Sequence, residues 1–275
     1  MKIKAGVAIL AFFTLMAIAG PLLIGADPAA TSNDGLQGPS SAHWLGTTQT
    51  GQDILVQIVY GARVSMGVGV LSAVIATLLA VAVGLVGGYF GGAIDETFSV
   101  LTNIFLVLPS LPLIIVLAGY LPQRGVASVA VVIAVTGWAW GARVLRAQTL
   151  SVRRRDFVEA ARASGERPLR IIFFEILPVL LPVIATSFLA TVVGAILAEA
   201  GLSFLGLADL STVSWGSMLY FAQNGQALLI GAWWWFIPPG LCIALIGTGL
   251  ALVNFGIDEI ANPRLRTIKV RKARA

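Results

Sequence analysis

The 275-residue chain is 57% hydrophobic and 11% charged, with a mean hydropathy of +0.90. A soluble domain carries about 25% charged residues, so this composition excludes an ordinary water-soluble fold and makes lipid the solvent. The formal charge of +5 would suit nucleic acid, but the basic residues sit in short arms beside apolar runs, the pattern that sets membrane topology. No nucleic-acid partner is expected. Cys242 is the one cysteine and lies in an apolar run, and the one histidine belongs to no Cys/His cluster, so neither a disulfide nor a metal site is expected.

A membrane-spanning helix needs about 20 mostly apolar residues. Six stretches qualify: 5–25, 66–89, 101–121, 126–145, 176–198 and 229–255. The first begins with Lys2 and Lys4 as a secretory signal would. Its apolar run is longer than the roughly 7–15 residues of such a signal, and it is read as an uncleaved span. Residues 26–64 begin as a Pro/Ser/Asn/Gly-rich loop. Residues 51–61 then place Ile54, Leu55, Ile58 and Val59 on one helical face and Gln52, Asp53 and Gln57 on the other, which predicts a short separate helix in the outer interface. The pairs Gly84/Gly88 and Gly137/Gly141 allow close helix approach, and packing within the chain is the favoured use of both. Gly137, Trp138, Trp140 and Gly141 also interrupt the fourth span. Residues 199–228 mix apolar and polar side chains without a clean period, Trp233–Trp235 mark the headgroup level, and Pro238 and Pro239 follow where a kink is tolerated. The expected division is 1–64 for the first span, outer loop and interfacial helix, then 65–257 for a five-helix core with a cytoplasmic loop at 146–178, then 258–275 for a basic tail.

With the N-terminus inside, segments 1–4, 90–100, 143–175 and 256–275 are cytoplasmic and hold 16 of the 18 basic residues; Arg63 and Arg124 fall outside them. The positive-inside rule therefore predicts six spans with both termini cytoplasmic.

The loop at 156–165 is the charged exception in the greasy chain. Asp156 can cap a helix, with Glu159 three residues on as in a capping box, and both carboxylates suit the positive end of the helix dipole. Ala160, Ala161 and Ala163 are strong helix formers of little bulk, Gly165 fits the position just past the helix, and Pro168 blocks continuation. The product is a short, stiff, small-faced cytoplasmic helix. It is either a dock for a partner or a plain connection between two spans.

Glu159, Ala160, Ala161, Gly165, Ile176, Leu177 and Pro178 have the spacing of the EAA loop, and this stretch resembles that of ABC-importer permeases. Further runs are similar to the dipeptide, oligopeptide and nickel branch of that family, its C-type permease in particular. They are His43–Thr47 followed by Gly51–Asp53, Tyr60–Arg63, Gly87–Gly92, Ala198–Gly206 and Asn262–Arg266. Thr48 and Gln52 depart from it, standing where relatives usually carry Asp and Arg. The resemblance implies an all-α integral membrane protein with the type I ABC importer permease fold, in a bacterial or archaeal plasma membrane. It implies ATPase coupling through Asp156, Glu159, Ala160, Ala161, Arg162, Ser164, Gly165, Leu177 and Pro178. The implied partners are a second, homologous permease, two ATPase subunits carrying ATP and Mg, and an extracytoplasmic solute-binding protein. Glu199, Ser203 and Phe204 are candidates for the pathway or its gate, with Glu199 at the outer end of the fifth span and Ser203 one turn on.

No G-x-x-x-x-G-K-[ST] occurs, so the chain carries no P-loop and no catalytic residue is expected. The six spans as bounded hold no Asp, Glu or Lys, which argues against an ion-driven carrier and against a membrane enzyme. The reading is a permease subunit of an ATP-driven importer of short peptides. The alternatives are a nickel or other small-solute importer and, from another class, a passive channel or secondary transporter.

Overall fold

The structure, a computed structural model, describes residues 2–120 and 125–261. In chain order it has α1 (Lys2–Ile24), α2 (Ile54–Phe90), α3 (Gly92–Val107), α4 (Ser110–Gly119), α5 (Val126–Val152), α6 (Asp156–Ala163), α7 (Pro168–Arg170), a π-helical turn Ile171–Ile176, α8 (Leu177–Phe204), α9 (Trp215–Asn224) and α10 (Trp233–Ala261). Among the described residues there is no β-strand beyond one isolated bridge, Thr47 with Asp53. Residues 262–275, which hold the run Asn262–Arg266 and all the basic side chains of the tail, lie outside the described residues.

Among the described residues five helices are long and apolar enough to cross a membrane, and a bent pair, α3 with α4, makes six if it is counted as one span. That pair, Gly92–Val107 with Ser110–Gly119, takes the place of the single stretch expected at 101–121. α3 and α4 meet at 90°. The cause is local: Leu108 (ψ 129°) and Pro109 (ψ 119°) are both extended, as expected of a residue before proline. Pro112 then falls in the first turn of α4, where its missing N–H costs no helical bond.

The expected interfacial helix at 51–61 is a second correction. Asp53 caps α2, its side chain accepting from Val56 N, and the helix then runs unbroken for 37 residues to Phe90. Ile54 and Ile58 do not meet headgroups; both are buried against Phe13 of α1 and Trp215 of α9. Below them Ser65, Gly69, Ser72, Ala76, Ala80, Gly84 and Gly88 recur every three or four residues, all buried. This small-residue ridge lets α5 and α8 approach closely, which is how membrane helices gain packing where lipid supplies no hydrophobic drive. A Cβ at Gly84 would lie 2.8 Å from Leu145 Cβ, and one at Gly88 2.7 Å from Thr149 Cβ. These glycines pack inside the chain, as the sequence predicts. Gly141 meets Ala80, whereas Gly137 faces open space.

α1 lies against α10, with Gly6 close to Gly249 O and Gly256 close to Ile3. α5 runs straight past its glycines and tryptophans to Val152, and α10 continues through Pro238 and Pro239. α7, the π turn and α8 form one rod, Pro168–Phe204. A rod of 37 residues measures about 55 Å, so it starts beside α6 and ends well past the predicted 176–198.

The outer loop is ordered by its own polar groups. Thr47 Oγ1 donates to Asp34 O, Gln37 N donates to Thr47 Oγ1 at 2.9 Å, and His43 Nδ1 lies 2.8 Å from Asp53 Oδ2. Thr48 and Gln52 are joined without charge. Gln52 N donates to Thr48 Oγ1 at 3.1 Å, and Gln57 Nε2 donates to Gln52 Oε1 at 3.0 Å.

Candidate functional site

α6 follows α5 after a tight turn closed by Arg155 N donating to Val152 O at 3.0 Å. That turn puts the extended residue at Arg155 (φ −81°, ψ 150°), so Asp156 is the first helical residue and no side chain caps the helix. The expected capping box is therefore absent. Asp156 and Glu159 still occupy the first turn, where the dipole favours them. The C-terminus closes as the sequence predicts. Gly165 sits at φ +77°, Gly165 N donates to Arg162 O at 3.0 Å and Glu166 N to Ala161 O at 3.1 Å, which is the Schellman pair. Pro168 then opens α7 as its first residue, the position proline favours.

Val158 is fully buried among Ile171, Ile172 and Ile176, with Ala161 and Leu177 packed against the same cluster. Asp156, Phe157, Glu159, Ala160, Arg162, Ser164 and Gly165 are exposed, as is Pro178 further along the rod. Thus α6 is pinned by one side and presents the other to solvent. Arg162 covers the Tyr89 ring at 4.9 Å, a cation–π contact. Arg153 Nη1 donates to Gly88 O at 2.8 Å and Tyr89 O at 3.2 Å, closing the carbonyl end of α2. An open groove of about 480 Å³ beside α6 is lined by Tyr89, Arg153, Arg154, Glu159, Arg162 and Pro168. Arg146 grips Asp95 with two bonds, Nε to Oδ1 at 2.5 Å and Nη2 to Oδ2 at 2.7 Å, tying α3 to α5.

The second constellation lies near the other end of the rod. Glu199 is 3% exposed. Its Oε1 accepts from Ser203 Oγ at 2.7 Å and its Oε2 from Ser65 Oγ at 3.1 Å. Ser65 Oγ in turn accepts from Trp215 N at 3.2 Å, and Ser214 caps α9 in a capping box with Ser217. One carboxylate therefore joins α2, α8 and α9. The sequence places Glu199 beside Ser203 but gives no sign of Ser65 or Trp215, whose hydrogen bonds bridge 134 and 150 residues. α8 runs past 198, the expected end of the fifth span, and so carries Glu199 inside the helix bundle. Phe204 ends α8 outside this network. In the loop beyond it Asp209 accepts from Ser211 Oγ at 2.5 Å and Ser211 N at 2.9 Å. The Ser211 hydroxyl holds that carboxyl below its usual range.

Between the two lies a chamber of about 520 Å³, bounded by α2, α4, α5, α8 and α10; Ser72, Thr136, Trp140, Thr191 and Asn254 are among its lining residues. Among the described residues no group of three or more His, Cys, Asp or Glu side chains could hold a metal ion.

Residues 76–267 match the family described as "Binding-protein-dependent transport system inner membrane component", and the chain belongs to that family. It is thus the multi-pass inner-membrane permease of an ABC importer. The chain is 36% identical over 270 residues to the "Dipeptide transport system permease protein DppC" of Bacillus subtilis (strain 168), covering 95% of this chain and 82% of the relative. It is 34% identical to the "Oligopeptide transport system permease protein OppC" of the same organism, with 95% and 85% covered. It is also 34% identical to OppC of Mycobacterium tuberculosis (strain ATCC 25618 / H37Rv), with 98% and 94% covered. About three quarters of the chain shares its fold with a chain of structures titled "Inward facing conformations of the MetNI methionine ABC transporter". Two crystal forms superpose with TM-scores of 0.58 and 0.59 at 20% and 21% identity, covering 74% and 76% of this chain and 94% and 96% of theirs.

Proposed function

We propose that the chain forms half of the translocation pathway of an ATP-driven importer of short peptides. Cargo class is supported by relatives named for dipeptide and oligopeptide transport that align with nearly the whole chain. A second homologous permease completes the pathway, a solute-binding protein delivers cargo outside, and two ATPase subunits bind ATP and Mg on the cytoplasmic side. Both termini are cytoplasmic.

The observation that carries the coupling role is the construction of α6. Its exposed face offers Glu159, Ala160 and Gly165, its buried Val158 joins it to the base of the α7–α8 rod, and its C-terminus is locked by the Schellman pair. An ATPase seated on that face moves the rod with it. ATP binding and cargo delivery then bias one two-state element from opposite ends.

Replacing Gly165 tests this reading. No side chain meets a Cβ there, but φ is +77°, where a residue with a Cβ costs about 1–2 kcal/mol. Gly165→Glu adds that strain and a charge to the docking face. The expected outcome is a permease that inserts and pairs normally while cargo-stimulated ATP hydrolysis and uptake are lost. Normal uptake by an intact Gly165→Glu complex rejects α6 as the dock.

A further inference from the structure

The chamber between α2, α5, α8 and α10 has two threonine hydroxyls whose hydrogen-bonding sense is already decided, beside the serines Ser72, Ser110 and Ser187, which can give or take. A hydroxyl has one proton to give and two lone pairs to offer. Thr136 Oγ1 donates to Val132 O at 3.1 Å and Ile133 O at 3.0 Å, and Thr191 Oγ1 donates to Ser187 O at 2.8 Å. Their protons are spent on their own helices, so what they present to the chamber is lone pairs. Asn254 Oδ1 is a buried acceptor with no partner among the described residues. Ser72 is fully buried, and its hydroxyl also has no partner among them. Trp140 adds an aromatic ring that is 66% exposed. Among the described residues no Asp, Glu, Lys, Arg or His lines the chamber.

We infer that this chamber is a cargo-contact site that takes N–H donors, the ammonium terminus and amide groups of a peptide, through the lone pairs of Thr136, Thr191 and Asn254 and the face of Trp140. The inference rests on the peptide reading and deepens it. The lone pairs of Thr136, Thr191 and Asn254 match an ammonium or an amide N–H. The indole face attracts a cation without carrying a charge. A wall without fixed charge also holds its ligand weakly, which a pathway needs if cargo is to leave as readily as it enters. Ser72 can give or take a hydrogen bond and adapts to whichever group passes it.

The test uses the whole transporter, with its second permease, ATPases and binding protein, in proteoliposomes. The cargoes are a free dipeptide and the same dipeptide N-acetylated, each at saturation of the binding protein. The variants are Thr136→Val, Thr191→Val and Trp140→Leu. The two valine changes keep the shape and remove only a bond within one helix, so folding should survive them. We expect the wild type to carry the free dipeptide faster than the acetylated one. Each variant should slow the free cargo by about fivefold, as loss of one hydrogen bond or cation–π contact implies. The acetylated cargo should be almost unaffected, so that the discrimination collapses. Unchanged discrimination in all three variants, with peptides still imported, overturns this inference and leaves the peptide reading standing. A wild type that imports neither cargo overturns both.

Discussion

Glu199 carries more of the fold than its charge suggests. Its two oxygens satisfy the hydroxyls of Ser65 and Ser203, and Ser65 in turn receives the first helical N–H of α9. Removing the carboxylate strands buried polar groups, and each such loss costs about 1–3 kcal/mol. Glu199→Ala should therefore lower the melting temperature of the purified permease clearly. Glu199→Gln keeps one acceptor and should melt between that variant and the wild type. We expect Glu199→Gln also to reduce uptake while assembly and binding-protein affinity stay as they were. Melting of Glu199→Ala at the wild-type temperature would show that the network holds nothing. How far this site was legible follows from chain distance. Ser203 lies one turn from Glu199 and its hydrogen bond can be read from spacing alone. Ser65 and Trp215 come from other helices, and no local pattern announces them. The same contrast separates the two ends of α6. Gly165 is legible because a positive φ selects glycine, whereas the N-terminus depends on where the Arg153–Arg155 turn closes, and Asp156 misses the cap by one position.

At the scale of helices, the small-residue ridge of α2 decides what packs where. Gly84 faces Leu145 Cβ at 2.8 Å and Ala142 O at 2.9 Å from the site a Cβ would occupy. Both neighbours belong to the buried interior of α5 and cannot swing away. Overpacking of this kind costs about 1–3 kcal/mol. Gly84→Leu should separate α2 from α5, seen as a lower melting temperature and faster proteolysis, whereas Gly137→Leu should be tolerated, because nothing lies within 4 Å of that site. Equal stability of the two variants would contradict the packing. Apolar length revealed the spans and Gly84/Gly88 revealed the ridge. Hydropathy cannot reveal a change of direction, however, and the right angle between α3 and α4 depends on Leu108 and Pro109 being extended. Nor can it distinguish an interfacial helix from the first turns of a long one. The apolar face at Ile54 and Ile58 is the same in both cases, and its partners on α1 and α9 are remote in sequence.

For the molecule as a whole, the charge asymmetry predicts which side each site faces. Ser164 follows α6 and Ser211 lies between α8 and α9, and both are exposed. A cysteine at Ser211 should react with an impermeant thiol reagent added to intact cells, and a cysteine at Ser164 only after the membrane is opened. Cys242 is set apart from both by being half-buried, packed against the core cluster that holds Phe13 and Trp215. The opposite labelling would invert the arrangement and remove α6 from any cytoplasmic ATPase. The rod Pro168–Phe204 joins these two surfaces without a break in its backbone, and its π turn, Ile171–Ile176, lies immediately beside α6. A π turn holds one more residue than an α-helical turn, and one residue turns a helix by about 100°. That extra residue works as a phase setting. It fixes the angle between the face that Val158 grips at the base of the rod and the face that carries Glu199 toward Ser65 at its far end. Tightening the turn to the ordinary helical pitch would rotate one end against the other, so α6 and the buried carboxylate stay in register only as long as those six residues keep their looser winding.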